Sequence, residues 1–337
     1  METLLINLIA LAISLLTSLW LIPFIIGWYK KKKILSEDMN KFSKPKVPGL
    51  GGLALVLAFI LSITITLMVR TLFGLDEINL ELLLPGLLTI IIMAFTGFVD
   101  DVLMFPVRPI KPILALFASI PMIAISYGSE TILHLPLIGD FNVGLFYPLF
   151  IIPFIIIFSS NAINIMADFD GLTPGNGLIM TGTLFICSWW THQPTAMFLF
   201  AALFGTLLVF YFYNKYPAKI FTGNIGTLFI GCIFAIGAII GHIKLAFFIL
   251  LIPYILHFIL QERIVLDRGT WRARPRERGL PQKNGTLVSE YKKSYGLTHF
   301  ILHHFKNVTE KKLVYYLMAF EGTCAIIALF LQYQRLM

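Results

Sequence analysis

The sequence predicts an all-α polytopic membrane protein with about ten transmembrane helices. Two observations carry this. Of 337 residues, 58% are hydrophobic and only 13% are charged, far more apolar surface than a water-soluble core requires. The basic residues also fall almost entirely on alternate connections between the apolar runs, as membrane topology demands.

The predicted spans are 3–27, 50–69, 83–99, 110–127, 145–161, 176–190, 195–213, 224–243, 245–262 and 312–333. The first ends in Lys30–Lys33 with no small-residue cleavage site, so it reads as a spanning helix and not a removed signal peptide. The third and sixth could be tilted or partly re-entrant. Pro153 interrupts the fifth and Pro253 the ninth, which neighbouring helices can tolerate. Residues 128–144 are rich in Gly and Pro with alternating apolar positions, the pattern of a small hairpin. The chain reads as one membrane domain over 1–337, with 263–311 forming a cytoplasmic loop region between the last two spans.

With both termini outside, the inner connections and the adjoining span ends hold 23 of the 26 Lys and Arg. Arg70, Lys244 and Arg335 alone fall on the other side. The placement explains the formal charge of +8 without nucleic acid. It predicts a multi-pass protein of the cell membrane, surrounded by lipid. Lys30–Lys33 suit anionic headgroups. Cys187, Cys232 and Cys324 all lie in apolar runs and read as small buried side chains.

The inner connections contain nearly every polar residue that needs explaining. Gly97-Phe98-Val99-Asp100-Asp101 closes the third span. Two adjacent acids there either mark where the helix leaves the bilayer or bind a divalent cation at its face; buried centrally, one Asp would cost roughly 2.5–3.5 kcal/mol. Arg108 and Lys111 follow, suiting a phosphate-plus-metal site or an interfacial salt-bridge network. Asn161 and Asn164 are spaced to share a helix face, and Asp168, Asp170 and Gly171 come next in a segment without one basic residue. That segment needs its charge neutralised from elsewhere, by metal or by sugar hydroxyls as hydrogen-bond partners. Asn224 in Thr222-Gly223-Asn224-Ile225-Gly226 either caps a helix or supplies an amide oxygen to a ligand. Arg272, Arg274, Arg276 and Arg278 offer forked donors that fit a pyrophosphate or an anionic lipid surface. His299, His303 and His304 lack the spacing of a zinc site. Together these residues suit metal-assisted phosphoryl transfer to an amphiphilic acceptor.

In order and placement, these motifs resemble the polyprenyl-phosphate N-acetylhexosamine-1-phosphate transferases, a glycosyltransferase 4-like family. They are Asp38-Met39-Asn40-Lys41 with Gly51-Gly52, Gly97 to Asp101, Asn161 to Leu172, Thr222 to Gly226 with Gly241-His242, and Pro275-Arg276-Glu277-Arg278 with Pro281. The archaeal and eukaryotic dolichyl-phosphate GlcNAc-1-phosphate transferases are the most similar branch. The resemblance implies that UDP-GlcNAc and a polyprenyl (dolichyl-type) phosphate give UMP and lipid-pyrophosphoryl-GlcNAc at the cytoplasmic face, with Mg²⁺ or, in substitution, Mn²⁺.

It also implies roles. Asp100, Asp101 and Lys111 would be catalytic. Asn164, Asn224 and Asp101 would hold metal. Asn40, Lys41, Asn161, Asp168, Asp170, Arg276, Arg278, His303 and His304 would bind substrate. Three departures stand out: Asn224 occupies the family's Asp position, Glu277 a His position of the eukaryotic enzyme, and Leu302 one place of a three-histidine motif. The alternatives are a related transferase with another donor sugar, a transporter, or a catalytically weakened scaffold. A transporter would place acids in mid-span, whereas those singled out gather at one face. Small-residue faces permit a homodimer.

Overall fold

The computed structural model describes residues 2–103, 110–126, 132–135, 139–270 and 278–337. The elements in chain order are α1 (Glu2–Lys32), β1 (Leu35–Glu37), β2 (Lys46–Pro48), α2 (Gly52–Phe73), α3 (Leu80–Leu103), α4 (Ile110–Ala118) and α5 (Ile120–Ser126). The hairpin β3 (Ile132–Leu135) and β4 (Gly139–Asn142) follows, then a π-turn, Tyr147–Ile151, continuing into α6 (Ile152–Ile165). Next come α7 (Leu172–Trp190), α8 (Pro194–Asn214), α9 (Gly223–Ile240), α10 (Lys244–Leu250) and α11 (Ile252–Arg268). The chain closes with β5 (Leu280–Pro281), β6 (Leu287–Val288), α12 (Leu297–His304) and α13 (Glu310–Leu336).

All ten predicted spans fall on helices, yet among the described residues only seven helices are long and apolar enough to cross a membrane. The bent pair α10–α11 makes an eighth, with a 49° break. The break falls just before Pro253, whose missing N–H removes a helical bond. Over 110–127 the chain forms two short helices, α4 and α5. The polar start of α7, Thr173-Pro174-Gly175-Asn176-Gly177, is buried against protein and not exposed to lipid. The protein is polytopic and largely helical, with paired strands confined to short hairpins such as the expected one in 128–144. The three cysteines are free and buried.

At the centre stands α9, buried along nearly its whole length. It packs against α2, α3, α6 and α8, and α8 in turn lies between α1 and α7. Lipid cannot drive helices together by the hydrophobic effect, so close packing of small residues must do it. Gly52 on α2 meets Gly226 on α9 so closely that a Cβ on Gly52 would lie 2.1 Å from the Gly226 nitrogen. Backbone bonds continue this contact: Gly51 N–H donates to Phe221 O at 2.8 Å, Gly52 N–H to Thr222 O at 2.7 Å, and Phe221 N–H to Pro48 O at 2.8 Å. The segment before α2 is thereby fixed to the segment before α9.

Both termini lie at one end of the bundle. Thr3 donates to Glu77 at 2.8 Å, and Trp190 at the end of α7 packs on Tyr333 near the end of α13. The helix ends that carry the polar motifs converge at the opposite end.

One acid departs from that segregation. Glu321 is fully buried in α13, ~16 Å along the axis from Glu310. Neither of its carboxylate oxygens has a hydrogen-bond partner among the described residues. It is a mid-span acid that sequence reasoning passed over. Removing an unsatisfied buried polar group recovers about 1–3 kcal/mol of desolvation. Glu321→Met is therefore expected to raise the thermal midpoint of the purified protein; a lowered midpoint would show that the carboxyl group has a stabilising partner.

Candidate active site

The convergence end holds a cavity of about 270 Å³. Its walls come from β1 and the segment after it (Ser36 to Asn40), the α3 end (Asp101), the α6 end (Asn164), the α6–α7 connection (Ala167 to Asp170), the α8 end (Asn214), the start of α9 and its approach (Phe221 to Asn224, with Thr227) and Arg278.

Two polar networks organise it. The first centres on the start of α9. Asp101 accepts the backbone N–H groups of Asn224 at 2.9 Å and Ile225 at 3.0 Å, one on each carboxylate oxygen. These are among the N–H groups that a helix leaves without internal partners, and they carry the positive end of its dipole. Close approach of α3 makes this possible, because a Cβ on Gly97 would lie 2.6 Å from the Asn224 carbonyl oxygen. The Asn224 side chain then links two neighbours. Its Nδ2 donates to Asp100 Oδ2 at 2.7 Å, and its Oδ1 accepts from Asn164 Nδ2 at 2.6 Å. Asn164 Nδ2 also approaches Thr227 Oγ1 at 2.7 Å.

The second network centres on Lys41. Its ammonium bonds Asp38, Asp170 Oδ2 at 2.5 Å and Glu310 Oε2 at 3.3 Å, and lies 4.7 Å from the Tyr216 ring centre. Burial works against the ammonium, but Glu310, Asp170 and Asp38 outweigh it and raise its pKa. Lys41 is thus held protonated. Burial also pushes the Asp170 carboxyl up, against the pull of Lys41. Asp170 Oδ2 accepts Ala218 N–H at 2.9 Å, Gly171 N–H donates to Asn214 Oδ1 at 3.0 Å, and Asn214 Nδ2 donates to Ile220 O at 2.7 Å. Asn40 Nδ2 donates to the Asp168 carbonyl oxygen at 2.5 Å, which joins the first inner connection to the third.

Of the expected site residues, Asn40, Asp101, Asn164, Asp168, Asp170, Asn224 and Arg278 line the cavity. Asp100 and Lys41 stand directly behind it through their bonds to Asn224 and Asp170. Asn161 is not among the lining residues; its Nδ2 donates to Ile157 O of its own helix at 2.8 Å. His303 lies against Ser294 and Tyr291 of its own connection, and His304 against Phe300. Arg276 and the Lys111 side chain lie outside the described residues. Glu310, Asn214 and Tyr216 belong to the second network and were missed from sequence. Glu310 stands beside Lys311 and Lys312, so locally it reads as part of a solvated charged turn.

The donor chemistry fits a hard divalent cation. Carboxylate and amide oxygens are what Mg²⁺ prefers, and Asp101, Asn164 and Asn224 share one cavity wall. The Asn224 amide differs from a carboxylate in having one end that donates, and that end is turned to Asp100.

A bundle of membrane-length apolar helices with acids, amides and an arginine gathered around a cavity at one end is the architecture of a polytopic membrane protein with a polar site. Comparison with known proteins narrows the class. Residues 83–242 match the model of glycosyl transferase family 4. A Saccharolobus solfataricus protein, assigned as a UDP-N-acetylglucosamine–dolichyl-phosphate N-acetylglucosaminephosphotransferase, is 34% identical over 96% of this chain and 95% of its own. A Dictyostelium discoideum protein of the same name is 26% identical, covering 94% and 86%. A Streptococcus pyogenes phospho-N-acetylmuramoyl-pentapeptide-transferase is 28% identical, covering 71% and 72%. The chain belongs to glycosyl transferase family 4. The homology supports an enzyme of the phosphoglycosyl transferase type.

Proposed function

We propose that the protein transfers GlcNAc-1-phosphate from UDP-GlcNAc to a polyprenyl phosphate of the dolichyl type. The observation that carries this reading is the junction of Asp100, Asp101, Asn164 and Asn224 beside one cavity. Relatives named for this reaction over nearly the full chain support the donor and acceptor. An oxygen of the lipid phosphate attacks the sugar-bearing phosphorus of the donor. The bond from that phosphorus to the bridging oxygen breaks, and UMP leaves. The lipid phosphate is already largely ionised at neutral pH, so the site has more need to orient and neutralise charge than to remove a proton.

Asp100 orients the acceptor, held in place by Asn224. Asp101, Asn164 and Asn224 would hold Mg²⁺, which when bound supplies charge neutralisation on the diphosphate. Arg278, on the cavity wall, faces the donor phosphates, with Arg276 and Lys111 as further cations. The second network shapes the nucleotide end. The concentration of Lys and Arg at the cavity end supports a cytoplasmic site with both termini outside.

The test is UMP release by the purified protein with polyprenyl phosphate, Mg²⁺ and a panel of UDP-sugars. UDP-GlcNAc is expected to be turned over fastest. Release from another UDP-HexNAc alone would correct the donor, and no release from any donor would remove the enzymatic reading.

A further inference from the structure

We propose that Glu310 is a positioning residue for the nucleotide end of the donor, locking the Asp170 segment and Lys41 into one arrangement. The proposal rests on the function proposed above.

Glu310 is 3% exposed and is the first residue of α13. Its two carboxylate oxygens do different things. Oε1 accepts the backbone N–H of Asp170 at 3.0 Å, and Oε2 lies 3.3 Å from the Lys41 ammonium. One side chain thus ties together segments 140 and 269 residues away. The main-chain bond fixes the backbone from which the Asp170 carboxylate projects. The ion pair fixes the ammonium to which that carboxylate is bonded. Asp170 lines the cavity, whereas Glu310 is not among the lining residues, so Glu310 acts through its neighbours and not on the ligand.

The charge balance gives the arrangement its chemistry. Asp38, Asp170 and Glu310 surround the single ammonium of Lys41, and all three carboxyl groups are buried. Buried carboxylates that outnumber their cation repel one another unless geometry holds each to its own donor. Here the donors are assigned: Asp170 also has Ala218 N–H, Asp38 also accepts Asn40 N–H at 3.1 Å, and Glu310 has Asp170 N–H. Removing the Glu310 charge frees Lys41 to settle on Asp38 and Asp170 alone. The Asp170 carboxylate then shifts at the cavity wall, while Asp100, Asp101, Asn164 and Asn224 keep their own bonds. Donor binding should suffer more than the chemical step or the lipid acceptor.

Glu310→Gln is the test, since its amide oxygen can still accept the Asp170 N–H while the ion pair is lost. In detergent-purified protein, UMP release is measured against UDP-GlcNAc and polyprenyl phosphate in turn, with thermal unfolding alongside. The expected result is a KM for UDP-GlcNAc raised about tenfold, kcat and the KM for the lipid within twofold, and Glu310→Asp intermediate. An unchanged donor KM overturns the proposal. So does an equal rise in both KM values with a lowered midpoint, which would show that Glu310 only holds the fold. Wild-type protein inactive toward every UDP-sugar would instead sink the proposed function, and is read separately from the variant.

Discussion

Asp101→Ala is expected to lower both turnover and stability, whereas Asp100→Ala should chiefly lower turnover. The two acids are adjacent in sequence, but the structure gives them different work. Asp101 caps the start of α9 with both oxygens. Its loss leaves two N–H groups at the positive end of a central helix without their acceptors, costing about 1–3 kcal/mol. Asp100 receives the Asn224 amide just behind the cavity and, in the proposed reaction, orients the acceptor from there. Its loss removes an orienting charge, for which a fall of about 10²-fold or more is the expected scale. UMP release and thermal unfolding, measured on both variants, separate the effects. Equal midpoints in the two would show that the α9 cap contributes nothing, and near-wild-type turnover in both would take the pair out of the site.

Gly97→Ala should be as damaging as either, although it changes no functional group. The added Cβ would lie 2.6 Å from both the Asn224 oxygen and the Ile225 Cα. These are backbone atoms of a helix packed on several sides, so no side chain can move aside to make room. Forced overpacking of this kind costs about 1–3 kcal/mol. The larger effect is geometric: α3 must back away from α9, carrying Asp100 and Asp101 with it. A displacement near 1 Å can cost about 10²-fold in rate. A variant with wild-type kinetics would mean that α3 and α9 do not need this contact.

Much of this was legible in the sequence because membrane and motif signals are local. Apolar runs located the helices, and the alternating segment before the fifth span located the hairpin. Asp100, Asp101, Asn164, Asp170 and Asn224 stood out because polar residues at span ends demand an explanation. The number of crossings was less legible. The sixth run begins with polar and small residues that the structure buries in protein, and the fourth is two short helices. Lys41 was legible as a site residue but not as the hub of three carboxylates, since those partners come from distant segments. Glu310 and Glu321 were silent for opposite reasons. The first sits among lysines, where a charged turn is ordinary; the second is one acid in a largely apolar stretch of a helix whose packing neighbours only the structure reveals.

The tie between Glu310 and the early segments has a consequence for the order in which the enzyme comes into being. Lys41 and Asp170 leave the ribosome long before residue 310 does. Until then, the Asp170 N–H and the Lys41 ammonium lack the carboxylate that joins them in the finished protein. The Lys41–Asp170 cluster is therefore joined only once α13 has been made. A chain still under synthesis can already have α1 to α11 in the membrane and yet lack this tie, so two early segments are locked together by a helix made more than a hundred residues later.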